Sequence, residues 1–186
     1  MAMNIALDLS LDRKISESEK PIFGQLSLLS PRNALNIDGF PDVHPDSWYG
    51  RQLLRSRERA WLSLYVLDRG FALARGRPPM VPVTAAVAAC DHWHKSPDAD
   101  PSDASIAGAA VLRRDMDQVI QKIKQLSDQS TMGEGSDQDI RSVVDGYFES
   151  WHRIWDQAIK QGHDFPPYLD ILIQHVSCYN FHVCLR

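Results

Sequence analysis

Apolar residues recur at spacings of three and four along most of this chain, which is the repeat of one face of an α-helix. The longest stripe comprises Ile140, Val143, Val144, Tyr147, Trp151, Ile154, Trp155 and Ala158. A narrower stripe comprises Ala109, Leu112, Met116, Val119, Ile123 and Leu126. All the apolar runs keep helical spacing, so the sequence predicts helices and no convincing strand.

Start and stop signals give approximate bounds for these helices. They predict long helices over residues 46–75, 101–127 and 136–162, a short helix within 81–89, and a last helix from Pro166 towards the C-terminus. At the other end, Ala2, Ile5, Ala6 and Leu9 share one helix face with no N-cap before them. We therefore expect the chain to be a fragment of a longer helical domain.

Two stretches lack a helical repeat. Residues 14–46 contain Pro21, Pro31, Pro41 and Pro45 and few apolar anchors, which predicts one long loop. Residues 91–103 are rich in Asp, Pro and Ser, which predicts a surface loop. The predicted fold is an all-α, multi-helix bundle of about five to seven helices with one long N-terminal loop, in a single domain over residues 1–186.

Composition narrows the classes of function. Of the 186 residues 44% are apolar, enough for a substantial core. The net charge of −4 and the pI near 5.9 argue against nucleic-acid binding by this chain alone, because phosphate contacts need a basic surface. No apolar run approaches the length of a membrane span, and Cys90, Cys178 and Cys184 are too scattered for a disulfide framework. We therefore expect a soluble protein in a reducing compartment.

Candidate chemistry is concentrated in residues 51–77, where arginine dominates. The cluster comprises Arg51, Arg55, Arg57, Arg59, Arg69, Arg75 and Arg77. Guanidinium groups bind carboxylates and phosphates through paired hydrogen bonds, so outward-facing arginines could hold an anionic effector. The candidates for this role are Arg55, Arg59, Arg69 and Arg77. The alternative is a structural role, in which the arginines pair with acidic residues elsewhere and cover apolar surface with their stems.

The same helix carries a predicted buried ion pair. Asp68 falls on the apolar face that includes Trp61, and a buried carboxylate requires a partner. Arg75 lies two turns further on that face. We therefore predict an Asp68–Arg75 pair that ties the helix end to the turn at Gly76 and Pro78, where the helix stops.

Two sets of residues have side chains of the metal-ligand type. The first set is Cys90, Asp91, His92 and His94, and the second is His175, Cys178 and His182. The first set alternates as in an extended chain and lacks a further ligand, and the second would share one helix face, where His and Cys more often pack. We assign no metal or cofactor to this chain. No serine elbow, phosphate-binding glycine loop or dinucleotide motif is present, so an enzyme is not expected.

An ordered series of short motifs points to a family. The series is residues 5–11, then Arg57, Arg59 and Trp61, then Leu67, Asp68 and Arg69, and finally Gly76, Arg77 and Pro78. In this order the motifs resemble the regulatory domain, or middle homology region, of fungal-specific transcription factors with a binuclear zinc cluster. The resemblance covers residues 1–79, and residues 101–186 are similar only as further helices. The six-cysteine zinc cluster of that family is missing from this chain.

The resemblance implies an all-helical regulatory module of a nuclear transcription factor that acts on RNA polymerase II. Such a module restrains or releases activation in response to an anionic effector, to regulatory proteins or to the transcription machinery. Zinc and DNA contacts would belong to a separate upstream domain, and no membrane is implied. A homodimer remains open, although the narrow stripe covers fewer than the three or four heptads that a dimeric coiled coil needs. Two other classes remain open: an enzyme of unknown class and a freestanding helical interaction module.

Overall fold

The computed structural model describes residues 2–16, 28–129 and 135–160, and within them the chain is predominantly helical. The helices are α1 (Ala2–Asp8), α2 (Pro31–Ile37), α3 (Trp48–Ala74), α4 (Ala85–Ala88), α5 (Asp103–Gln129) and α6 (Gly135–Lys160). A 3₁₀ helix spans Cys90–Lys95, and two short strands are β1 (Lys14–Ile15) and β2 (Leu28–Leu29). The predicted all-α bundle is confirmed.

Helix α5 lies at the centre of the bundle. It packs against α3, against α6 and against the 3₁₀ helix. Its predicted apolar stripe is buried from Ala109 to Ile123, because neighbouring helices cover that face, and Leu126 is partly buried. On α3 the buried side chains include Trp61, Leu62 and Tyr65. Burying one large apolar side chain contributes about 1.5–3 kcal/mol, so these interfaces supply much of the stability.

The contact between α5 and α6 depends on a glycine. A Cβ atom at Gly108 would lie 3.1 Å from Trp155 Cε3, so any other residue would force the indole to shift by a few tenths of an ångström. The neighbouring Trp151 donates its indole N–H to the Gly108 carbonyl at 3.1 Å. This pairing of a small residue with two aromatic rings fixes the register of the two helices.

The buried face of α6 is rotated relative to the predicted stripe. Ile154, predicted to be buried, is 61% exposed, whereas Phe148 and Ile159 are buried although the stripe omitted them. The observed face follows positions 140, 144, 148, 151, 155 and 159. An apolar stripe wider than the contact surface leaves one edge in solvent, and Ile154 lies on that edge.

The predicted long N-terminal loop is wrong in two places. Strand β1 pairs with β2 in a parallel register of Lys14 with Leu28 and Ile15 with Leu29, so a small sheet is present where no strand was expected. Helix α2 begins after Ser30, whose hydroxyl accepts the Asn33 amide at 3.3 Å. Proline is favoured in the first turn of a helix, so Pro31 starts α2 instead of interrupting a loop.

The surface loop predicted over residues 91–103 is correct for residues 96–102 and wrong at both ends. Its first part is the 3₁₀ helix, which adjoins the short α4 predicted within 81–89. Its last residue, Asp103, begins α5 and is fully buried. The last predicted helix, from Pro166, lies outside the described residues. Within the described ranges, no helix has the length and hydrophobicity that a membrane span requires.

Replacing Gly108 with valine should destabilise the bundle by about 1–3 kcal/mol, because the added methyl groups would collide with Trp155. Gly146 on α6 is the matched control, since no heavy atom lies within 4 Å of a Cβ built there. Gly146→Val should leave stability within a few tenths of a kcal/mol or raise it. Urea unfolding of both variants measures the difference. Equal effects at the two positions would contradict close packing at Gly108.

Candidate functional site

The carboxylate of Asp103 joins α5 to α3. Arg55 Nε donates to Oδ2 at 2.7 Å, and Arg59 donates from Nε to Oδ1 at 2.6 Å and from Nη2 to Oδ2 at 3.1 Å. The backbone amide of Asp100 donates to Oδ2 at 3.0 Å. Arg55 and Arg59 are one helical turn apart, so both reach the same carboxylate. These three side chains, Arg55, Arg59 and Asp103, form the Asp103 cluster.

The Asp103 cluster is shielded from water. The Asp103 side chain is 0% exposed, that of Arg55 is 7% exposed and that of Arg59 is 24% exposed. Burial by itself would raise the pKa of Asp103, but the hydrogen bonds from Arg59, from the Asp100 amide and from Arg55 outweigh it and lower that pKa. The carboxylate therefore stays charged at neutral pH. Because two guanidinium groups share one carboxylate, the cluster retains a net positive charge.

Arg55 also fixes the 3₁₀ helix through Trp93. Its Nη2 donates to the Trp93 carbonyl at 2.7 Å, and its guanidinium carbon lies 4.1 Å from the centre of the Trp93 ring. The Trp93 indole N–H donates to Glu58 Oε2 at 2.7 Å. Burial raises the pKa of Glu58 above its ordinary value of 4.5, although the Trp93 hydrogen bond and the Arg55 charge oppose the shift. Helix α3 thus holds Trp93 through a cation over its ring and a carboxylate at its edge.

Two further side chains of α3 reach distant parts of the chain. Arg57 is buried and donates to Asp38 Oδ1 and to the Leu9 carbonyl, which ties α3 to the end of α2 and to the segment after α1. Trp61 is fully buried and donates its indole N–H to Thr84 Oγ1, just before α4, at 2.9 Å. Both residues belong to the motif series found in the sequence.

Asp68 is buried as predicted, but its partners differ from the predicted one. Its Oδ2 accepts the amides of Met80 and Val81 at 2.7 and 2.8 Å, and its Oδ1 lies 3.9 Å from Arg77 Nη2. The predicted pair with Arg75 is wrong, because Arg75 turns to solvent over the Phe71 ring, 5.9 Å from its centre. The cause is the turn at Gly76, where φ is +61° and the chain reverses so that the next segment passes Asp68.

Arg114 of α5 secures the start of the 3₁₀ helix. It donates to both carboxylate oxygens of Asp91 at 2.8 and 2.9 Å, to Asp115 Oδ1 at 2.7 Å and to the Ala88 carbonyl at 3.1 Å. The hydrogen bonds from Arg114 lower the pKa of Asp91. The 3₁₀ helix is therefore bound to α3 through Trp93 and to α5 through Asp91.

Three of the four possible metal ligands around this helix are engaged by packing or by an ion pair, and the fourth, His92, is exposed. Burial raises the pKa of Cys90 to about 11, so the thiol stays protonated at neutral pH. Asp91 is held by Arg114, and the His94 ring packs 4.8 Å from the Trp155 ring centre with a pKa lowered by burial. In the parts of the chain that the structure describes, no three candidate ligands converge. The second predicted set, His175, Cys178 and His182, lies outside the described residues.

Two open cavities flank the 3₁₀ helix. One, of about 740 Å³, lies between this helix, the start of α5 and α6, and Trp155 and Asp115 are among its lining residues. The other, of about 570 Å³, lies between β1, α3 and the 3₁₀ helix. We call the second one the basic cleft, and its lining includes Lys14, Ile15, Arg51, Leu54, Arg55, Glu58, Trp93, Lys95 and Asp98. Both volumes fall in the range of small-molecule sites, about 300–1,000 Å³.

The four predicted effector contacts occupy different environments. Arg55 and Arg59 are brought together, but by an internal carboxylate, and of these two only Arg55 also lines the basic cleft. The Arg69 guanidinium lies 4.9 Å from the centre of the Tyr65 ring, and Arg77 lies at the Asp68 turn. The four arginines therefore form no single pocket among the described residues.

Sequence reasoning missed the residues that complete the site. Lys14, Trp93 and Lys95 come from segments predicted to be loops, where side-chain positions depend on tertiary contacts. One signal for Asp103 was available, since an acidic residue at the start of an apolar stripe is favoured at a helix N-terminus.

A scan against protein-family models, a search of curated proteins and a search of solved structures each found no match to this chain.

Replacing Asp103 with asparagine should cost about 3–5 kcal/mol of stability, because the buried Arg55 and the partly buried Arg59 lose their shared charge partner. Asp98→Asn is the matched control. Asp98 accepts both hydrogen bonds from Arg51 Nε at 3.0 Å, but that pair is partly exposed, so its loss should cost no more than about 1 kcal/mol. Guanidinium chloride unfolding compares the two variants. Similar losses would show that burial of the Asp103 cluster is not what matters.

Low pH should reduce the free energy of unfolding, because Asp103 becomes protonated. Its pKa is lower in the folded chain than the ordinary value of 3.8, so its contribution is complete above that value and is lost as pH falls through the folded pKa. We expect the free energy of unfolding of the wild type to fall below about pH 4 more steeply than that of Asp103→Asn. Urea titrations at several acidic pH values measure both slopes. Parallel slopes would mean that Asp103 has no lowered pKa.

Proposed function

We propose that this chain is the effector- or partner-sensing regulatory domain of a fungal zinc-cluster transcription factor that acts on RNA polymerase II in the nucleus. DNA binding and zinc would reside in a separate domain. Two observations support this proposal: the motif series itself and the contacts that its residues make. Those contacts are the strongest support available for the resemblance.

The supporting observation is that the motif residues connect α3 to the rest of the bundle. Arg57 reaches the Leu9 carbonyl and Asp38, Arg59 reaches Asp103, Trp61 reaches Thr84 and Asp68 reaches the amides after the turn. Each of these bonds spans at least 12 residues of sequence. Residues with such contacts are constrained in type and spacing by the bundle, which supports the interpretation of the motifs as one structural series.

A regulatory role requires two packings of the bundle with different affinity for an effector or partner. The 3₁₀ helix is suited to such a change. It is held by polar contacts to two long helices and has cavities on both sides, whereas the α5–α6 interface is closely packed. A ligand that moved this helix would alter the Asp103 cluster and hence the junction of α3 with α5.

A reporter assay tests the proposed function. The chain is inserted between a heterologous DNA-binding domain and an activation domain, and output is compared with that of an unstructured spacer of equal length. We expect lower output with the chain, because the folded domain restrains activation. Trp61→Ala should restore output, since it opens the core, whereas the exposed-site control Ile154→Ala should not.

Immunoblots must show equal amounts of each fusion. Equal output from the spacer, the wild-type chain and both variants would contradict a regulatory domain. Sequencing the transcript upstream of codon 1 gives an independent check, because the proposal requires a six-cysteine cluster encoded in the same reading frame.

A further inference from the structure

The basic cleft has an excess of positive charge. Its lining includes four cationic side chains, Lys14, Arg51, Arg55 and Lys95, and two carboxylates, Glu58 and Asp98. Asp98 is neutralised by Arg51, whose Nε lies 3.0 Å from both of its oxygens. Arg55 is paired with Asp103, but that carboxylate also serves Arg59. The local charge is therefore positive after all internal pairs are considered.

The two lysines are the cations that remain available. In the part of the chain that the structure describes, the side chains of Lys14 and Lys95 donate no hydrogen bond and form no ion pair of 4 Å or less. The charge of Lys14 acts on Glu58, whose pKa it lowers slightly against the effect of burial. Lys95 is exposed at the end of the 3₁₀ helix. The two lysines therefore line the cleft from two different segments.

The rest of the lining is mixed, with Ile15, Leu54 and Trp93 as its apolar part and Ser16, His92 and Ser96 as its polar part. Ile15 and Leu54 are half-buried there, and Trp93 presents its ring between Arg55 and Glu58. A free inorganic anion would use only the charged groups. A ligand with an apolar body would also cover Ile15, Leu54 and Trp93, and removing that apolar surface from water favours its binding.

We propose that the basic cleft binds a small amphipathic carboxylate, with Lys14 and Lys95 at its anionic group and Leu54 and Trp93 against its apolar body. The cleft joins β1, α3 and the 3₁₀ helix, so a bound ligand bridges three separate segments. That this binding regulates transcription rests on the proposed function, whereas the binding itself does not.

Binding is tested with 4-phenylbutyrate at millimolar concentration, by isothermal titration calorimetry and thermal shift. Lys14→Gln with Lys95→Gln should raise the Kd by roughly tenfold or more, since each removed charge weakens the contact. The matched control is Lys122→Gln with Lys124→Gln, which removes two exposed lysines of α5 and should leave the Kd unchanged. Phenylbutanol and inorganic phosphate should bind far more weakly than 4-phenylbutyrate.

The indole N–H resonance of Trp93 locates the ligand. It is assigned with Trp93→Phe, and it should shift on titration while that of Trp155 does not, because Trp93 lines the cleft and Trp155 lies on the other side of the 3₁₀ helix. No binding to the wild type, equal affinity in both lysine variants, or a shift at Trp155 alone would each overturn the cleft assignment.

The reporter fusion separates this inference from the proposed function. If the chain restrains the reporter but no carboxylate relieves the restraint or binds in calorimetry, the proposed ligand is refuted. The proposed regulatory domain is not affected by that result. If the ligand binds at Trp93 but the chain does not restrain the reporter, the proposed binding site is supported and the proposed regulatory function is contradicted.

Discussion

The burial of one carboxylate between two arginines organises this bundle. A buried charge without a partner costs several kcal/mol, so α5 can begin where it does only if Arg55 and Arg59 of α3 meet Asp103. Burying the guanidinium groups of these arginines without the carboxylate would cost a similar free energy. This mutual requirement fixes the junction of the two long helices. It also sets the position of the 3₁₀ helix, because Arg55 holds Trp93.

Apolar packing and polar contacts stabilise different parts of this fold. The α5–α6 interface is dominated by aromatic rings against small residues, and Gly108 allows their close approach. Around the 3₁₀ helix the contacts are mainly charged, through Arg55 and Arg114. Charged contacts depend on pH and on nearby ions, so this side of the molecule is the more responsive one.

The three long helices could be predicted because each needs only its own periodicity. The bounds 46–75 and 101–127 agree closely with α3 and α5, since Gly76 and the turn before Asp103 are local signals. Tertiary information was needed for the rest. Asp68 accepts hydrogen bonds from the amides of Met80 and Val81, and not from Arg75, because the chain reverses at Gly76. Ile154 is exposed because α5 covers only part of the apolar face of α6. The basic cleft draws on three distant segments, so no local pattern could reveal it.

The shared carboxylate of Asp103 also has a consequence for divergence among relatives. A substitution at position 103 alone leaves two cations without their charge partner, so position 103 should change only together with positions 55 and 59. Loss of either arginine alone leaves the other one paired with the carboxylate. The pattern of permitted sequences would then couple the middle of one helix to the first residue of another. In an alignment of homologous sequences, loss of the acidic residue at position 103 should coincide with loss of the basic residues at positions 55 and 59.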